Sequence, residues 1–267
     1  MNTPVLCAKG IKKNYHLPQG FWSKKTVLAL NGVDMALFAG ETLAVVGASG
    51  SGKSTLARIL MGLIPASAGE VSFLGQKLVP PKYPKAVRRH MQMVFQDPFS
   101  SLNPRMPVGD IVSEGLFIHN LGTARQRLDQ AKEALSSVGI SPSRVGQYPK
   151  AFSGGERQRI AIARAIALRP QVLICDEPVS ALDVSVQKGI LELFSRLQED
   201  LKIAMLFITH DLRVAAEVAK RVAVMQDGQV VEEGEAKSIF AAPGHPYTQA
   251  LLAAIPGRHS ARLAKVC

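Results

Sequence analysis

The chain has 267 residues, enough for one large domain or two small ones with a substantial buried core. Hydrophobic residues make up 47%, yet apolar runs such as Leu43 to Val46, Val172 to Cys175 and Ala204 to Ile208 stop well short of the roughly 18 to 20 residues that span a bilayer. The formal charge of +11 favours an anionic partner, whether nucleotide, nucleic acid or an acidic membrane surface, and charge alone does not choose among them or against an ordinary solvated surface.

The opening MNTPVLCAKGIKKN lacks the apolar stretch of a secretory signal, so a cytosolic protein is expected. Cys7, Cys175 and Cys267 lie far apart and form no C-x-x-C pair, which predicts reduced thiols rather than a zinc site or a disulfide framework. Short runs rich in Val, Ile and Leu alternate with helical patterns, as buried parallel strands and their crossover helices do, so the fold class is α/β.

In chain order, Val5 to Lys9 and Val27 to Phe38 read as an antiparallel β layer, punctuated by Gly10 and by a turn at Asn31-Gly32. A strand at Thr42 to Val46 then leads into GASGSGKST, residues 47–55, and a helix at Lys53 to Leu63. Gly47 to Ser54 fits G-x-x-x-x-G-K-[ST] in the strand–loop–helix context that the motif needs. Gly47, Gly50 and Gly52 let the backbone N–H groups of a loop carrying Ser49 and Ser51 turn towards phosphate oxygens at a helix N-terminus that includes Thr55. Lys53 would neutralise β and γ phosphates, and Ser54 would offer its hydroxyl to Mg²⁺.

Beyond a strand at Gln92 to Phe95, strands vanish from Asp97 to Phe152, which reads as a helical insertion with an amphipathic helix at Arg125 to Val138. Its first stretch, DPFSSLNPRMPVGD, is polar and Pro-rich and is expected to be an exposed loop, either an ordinary connector or one with a recognition or coupling role. Ser153-Gly154-Gly155-Glu156 precedes a helix at Arg157 to Leu168; S-x-x-E is a capping box in itself, and two glycines at a positive helix end also suit a second phosphate. The strand Val172 to Cys175 ends in Asp176-Glu177-Pro178, placing two carboxylates where a parallel sheet meets its ligands. Asp176 would hold Mg²⁺ through water, and Glu177 would polarise the water that attacks the γ-phosphate. A helix at Val184 to Leu201, a strand at Ile203 to Thr209, a hairpin turning at Gln226-Asp227-Gly228-Gln229 and a loose tail over 256–267 complete the chain. Residues 1–255 are expected to form one domain with a helical subdomain at about 97–155.

The phosphate loop, FSGGE, VLICDEP, Ser180 to Asp183 (SALD) and Phe207 to Asp211 (FITHD) resemble, in order and spacing, the motifs of ATP-binding cassette (ABC) ATPases. The resemblance implies a P-loop NTPase core with a mostly parallel sheet, and ATP sandwiched in a head-to-tail dimer, homo- or heteromeric, between the loop of one subunit and the SGG segment of the other. It implies that Ser153 and Gly155 serve the partner's nucleotide, that Gln96 senses Mg²⁺ and couples to membrane partners, and that His210 contacts the γ-phosphate. It further implies that Tyr15 stacks on adenine and that Asp183 lies in a loop crossing the dimer interface. The signature departs from the commonest L-S-G-G-Q in having Phe152 and Glu156, whose charge would lie near a phosphate.

QDPFSSLNPR and GHPYTQALLAAIP look like the import ATPases for dipeptides, oligopeptides and nickel. That implies a peripheral location on the cytoplasmic face of the membrane, two permeases, an extracytoplasmic solute-binding protein and no nucleic acid. The short tail sits more easily with nickel or metal-chelate importers, and Cys267 alone cannot hold an iron–sulfur cluster. The alternatives at this stage are a soluble ABC ATPase in carbon–phosphorus bond chemistry or acting on nucleic acid, which has little support beyond the basic charge, and an inactive nucleotide-binding subunit, against which intact Lys53, Asp176, Glu177 and His210 speak.

Overall fold

Alternating apolar residues near the N-terminus produce two long strands, β1 (Leu6–Gln19) and β2 (Ser23–Leu37), paired antiparallel. The computed structural model describes residues 3–19 and 23–255. Contacts divide them into two units, one within Met1–Tyr83 and Ala204–Cys267 and the other Pro84–Ile203.

Burial along β1 changes phase: Leu6 and Ala8 are buried, then Ile11, because a bulge at Gly10 (φ +58°) inserts an extra residue. The expected turn at Asn31-Gly32 is instead a second bulge within β2, where Lys12 pairs with Asn31, Ile11 pairs with Val33, and Gly32 (φ +82°) is skipped. An Asn-Gly pair supplies the positive φ that a bulge needs as readily as the one a turn needs, which is why sequence alone chose wrongly. β3 (Thr42–Val46) is buried throughout and leads to α1 (Lys53–Leu60), and β4 (Ala68–Phe73) with β5 (Gln76–Leu78) completes a sheet of order β2-β1-β4-β5.

The second unit begins with α2 (Lys85–His90), β6 (Met91–Val94) and a four-residue helix, α3 (Pro98–Ser101). α4 (Val108–Ile118), α5 (Ala124–Ser137) and α6 (Gly154–Ile166) follow, then β7 (Val172–Asp176) and α7 (Val184–Leu201). β6 and β7 pair in parallel, with Val94 opposite Cys175. The Pro-rich stretch expected to be an exposed loop is in part helical and in part buried. Asp97 accepts from the Phe99 N–H at 2.8 Å to cap α3, and Leu102 and Val108 are buried.

Back in the first unit come β8 (Ala204–Thr209), α8 (Leu212–Val218), β9 (Arg221–Gln226), β10 (Gln229–Glu235), α9 (Ala236–Ala241) and α10 (Pro246–Ala253). β3 lies between β8 and β9 and runs parallel to both. The hairpin read at Gln226 to Gln229 forms, with Asp227 and Gly228 at φ +47° and +77° in its turn. Ala44, Val46, Val222 and Val224 pack under Leu212, Ala215, Ile239 and Leu252, so the last helix closes the core beside β3. The tail over 256–267, including Cys267, lies outside the described residues.

Candidate functional site

β3 delivers the chain into the loop at Gly47, and the loop closes on itself. The Ser51 N–H donates to the Ala48 carbonyl at 3.2 Å, and the buried Lys53 ammonium donates to the carbonyls of Gly47 and Ala48, each at 2.8 Å. Gly52 (φ +102°) is required by what presses on it: a Cβ there would stand 2.5 Å from the Ala29 carbonyl oxygen and 2.8 Å from the Leu30 side chain. The β9–β10 turn supports the loop from another side, with the Gly228 N–H donating to the Ser51 carbonyl at 3.1 Å. α1 begins at Lys53, and as at any helix start the N–H groups of Lys53, Ser54 and Thr55 have no carbonyl within the helix to donate to; no acidic residue stands in that first turn. Beside the exposed Ser49 and Gly50 these N–H groups form a positive helix end of the kind that suits an anion.

His210 is exposed and follows Thr209, the register partner of Val46, so it leaves β8 at the edge where β3 gives way to the loop. Asp211, next to it, caps α8 and is clasped by the Arg213 guanidinium at 3.1 and 2.8 Å. Tyr15 pairs across the strands with Val27, two residues along β2 from the Ala29 that abuts Gly52, or about 7 Å at strand rise. The Lys13 ammonium lies 5.1 Å from the Tyr15 ring centroid, over one face of the ring.

In the second unit, Gln96 lies two residues beyond β6 and Asp176 ends β7, so both leave the same edge of the parallel pair. Asp176 is buried, and the neighbouring Cys175 thiol is pushed well above its ordinary value by its own complete burial, with the Asp176 charge adding to it, which keeps that cysteine unreactive. Glu177 adopts a left-handed backbone (φ +47°), held by the Ser180 hydroxyl donating to its carbonyl at 3.0 Å. Such a conformation costs a non-glycine residue about 1–2 kcal/mol and turns the side chain away from the path it would take in a continuing strand.

Ser153 caps α6 in the capping box read from the sequence: its hydroxyl accepts from the Glu156 N–H at 3.3 Å, and Glu156 accepts from the Ser153 N–H at 2.8 Å. Gly155 has a packing reason that the sequence did not disclose. A Cβ on it would stand 2.4 Å from Val186 Cγ1, so the first turns of α6 and α7 meet there, and the exposed Asp183 begins the latter. The Glu156 charge is answered within the same unit: Arg144 forms an ion pair with it and stacks 3.9 Å from the Phe152 ring centroid.

The family described as ABC transporter matches residues 30–180, and one described as the oligopeptide/dipeptide transporter C-terminal region matches residues 231–265.

The chain belongs to the ABC transporter family.

Among its relatives, the oligopeptide transport ATP-binding protein AppF of Bacillus subtilis is 45% identical over 94% of this chain and 78% of its own length. The corresponding OppF of Escherichia coli is 46% identical over 89% and 72%. The dimeric ATP-binding cassette MJ0796, solved with ADP and Pi, superposes with a TM-score of 0.75 at 28% identity, covering 86% of this chain and 98% of that one.

In this ABC ATPase, the first unit carries Tyr15 on β1, the phosphate loop after β3 and His210 after β8. The second holds Gln96, Asp176 and Glu177 at one strand edge, and Ser153, Gly155 and Asp183 around the α6 and α7 N-termini. Sequence reasoning missed the Arg144 partner of Glu156 and the left-handed Glu177; a basic residue twelve positions upstream and an acidic residue after a strand carry no signal of either.

Proposed function

We propose that the chain is the ATP-binding and ATP-hydrolysing subunit of a peptide importer, seated peripherally on the cytoplasmic face of the membrane. It acts with a second cassette, two permeases and an extracytoplasmic solute-binding protein. One observation carries this reading: a complete, closed phosphate loop in a chain whose C-terminal part matches an oligopeptide/dipeptide transporter region. The dimeric MJ0796 cassette supports pairing of two cassettes, and the names of AppF and OppF support peptide as cargo rather than nickel or a metal chelate. Among the described residues, no helix is long and apolar enough to cross a membrane, so the permeases supply the pathway.

The site residues divide the chemistry. The N–H groups from Ser49 to Thr55 and the Lys53 ammonium bind the phosphates, Tyr15 stacks on adenine, and Ser153 and Gly155 reach the nucleotide held by the partner cassette, with Asp183 beside the crossing. Ser54, Gln96 and Asp176 present hydroxyl, amide and carboxylate oxygens, a hard donor set that suits Mg²⁺ and not a soft metal. These residues would hold Mg²⁺, which would supply charge neutralisation of the phosphates. Glu177 takes the proton of the attacking water, and His210 hydrogen-bonds the γ-phosphate and fixes the line of attack.

Co-expression with two permeases from a peptide importer tests the assembly. The chain should co-purify with them in detergent; recovery of a soluble complex without permeases would sink the proposal.

A further inference from the structure

The Gly47–Ala48 peptide unit is held at both ends. Its carbonyl, on Gly47, accepts from the Lys53 ammonium at 2.8 Å, and its N–H, on Ala48, donates to the Tyr247 hydroxyl at 3.0 Å. Because a peptide is planar, fixing the N–H direction fixes the carbonyl direction and with it one of the two backbone carbonyls to which Lys53 donates. Tyr247 lies 199 residues from Ala48 in the chain, on α10, within the part that matches the transporter C-terminal region.

The tyrosine is itself built in. It packs against the core cluster that includes Ala44, Val46 and Leu252, and its N–H donates to His245 Nδ1 at 3.2 Å in the cap of α10. Pro246 starts that helix with the φ it needs. The turn before it is clamped by Glu232 of β10, whose carboxylate accepts from the N–H groups of Gly244 at 2.7 Å and His245 at 3.2 Å. A chain of contacts therefore runs from β10 through the Gly244–His245 turn to the Tyr247 hydroxyl and the phosphate loop, all within the first unit.

We infer that Tyr247 is a positioning residue for ATP binding: its hydroxyl orients the Gly47–Ala48 peptide and thereby sets the Lys53 ammonium for the phosphates. The inference rests on the loop being the ATP site. It makes the C-terminal region part of the nucleotide-binding apparatus.

Tyr247→Phe in the full chain keeps the ring and removes the tie. Nucleotide-free thermal stability should stay close to wild type, whereas the Kd for MgATP, read by titration calorimetry, rises ~3- to 10-fold, the scale of one neutral hydrogen bond. The KM for ATP rises in step while kcat stays within about 2-fold, the pattern of lost uniform binding. Glu232→Ala should also weaken ATP binding, and the double variant should bind no more weakly than the weaker-binding single variant, since both act through one contact. An unchanged Kd in Tyr247→Phe, a fall in kcat alone, or full additivity with Glu232→Ala overturns the inference. If wild type itself binds no ATP, the functional reading fails instead, so the two failures are distinct.

Discussion

Arg144 ties off the carboxylate of Glu156, the residue standing where the commonest ABC signature has glutamine. The same guanidinium donates to the Ala151 carbonyl at 3.0 Å and to Gln147 Oε1 at 2.9 Å while lying on the Phe152 ring. The Glu156 charge is thus paired within its own unit. Glu156→Gln should leave the ATPase rate within about 2-fold, because the carboxylate it removes is already paired, and the Arg144 guanidinium it leaves behind stays held by Gln147 and the Ala151 carbonyl and is screened by solvent. Arg144→Ala should lower it more, and Glu156→Gln should restore activity in the Arg144→Ala background. A large gain in rate from Glu156→Gln alone would show that the charge is not shielded.

Acid should loosen this helix end. Hydrogen bonding from the Ser153 N–H, opposed by desolvation and assisted by Arg144, holds the Glu156 carboxyl below its ordinary value. A carboxylate depressed in the folded state stabilises above its unfolded value of about 4.3 and loses that contribution as pH falls through the lower folded value. The melting-temperature gap between wild type and Glu156→Gln should therefore be constant from neutral pH down to about pH 5 and shrink below the unfolded value. A gap that instead grew as pH fell would reverse the sign of the linkage.

The two signature glycines should respond differently to alanine. At Gly154 the nearest atoms to an added Cβ are 4.0 Å away, and at Gly155 Val186 Cγ1 is 2.4 Å away. Gly154→Ala should be neutral or stabilising by up to about 1 kcal/mol, and Gly155→Ala should destabilise by about 1–3 kcal/mol. Val186→Ala should recover part of the latter loss, as urea unfolding would show. Equal effects at the two positions would mean that packing does not distinguish them.

Lys53→Ala should lose nucleotide affinity, since the buried ammonium is the loop's positive charge. Glu177→Gln should keep ATP bound and lower kcat by about 10²- to 10⁴-fold, the span of general-base catalysis. Filter-bound ATP retained by Glu177→Gln but not by Lys53→Ala separates the two roles; normal hydrolysis by both would remove them from the site.

Much of the fold was legible because its signals are local. β3, β7 and β8 are continuous apolar runs, and α7 matches its expected limits of Val184 and Leu201. Asn31-Gly32 was misread because its positive φ serves a bulge, and a strand long enough to contain one is recognised only once its partner is in place. The phosphate loop could be read from eight residues because its function is written in backbone N–H groups and one lysine. What stabilises it could not be: Ala29, Gly228 and Tyr247 reach the loop from distant stretches of chain, and no short-range pattern in sequence records such approaches.

Coupling of hydrolysis to import is the central property of such a subunit. With permeases and binding protein reconstituted in proteoliposomes, steady-state ATPase should rise several-fold when peptide-loaded binding protein is added, and Glu177→Gln should abolish the rise. A wild-type rate indifferent to loaded binding protein would contradict it.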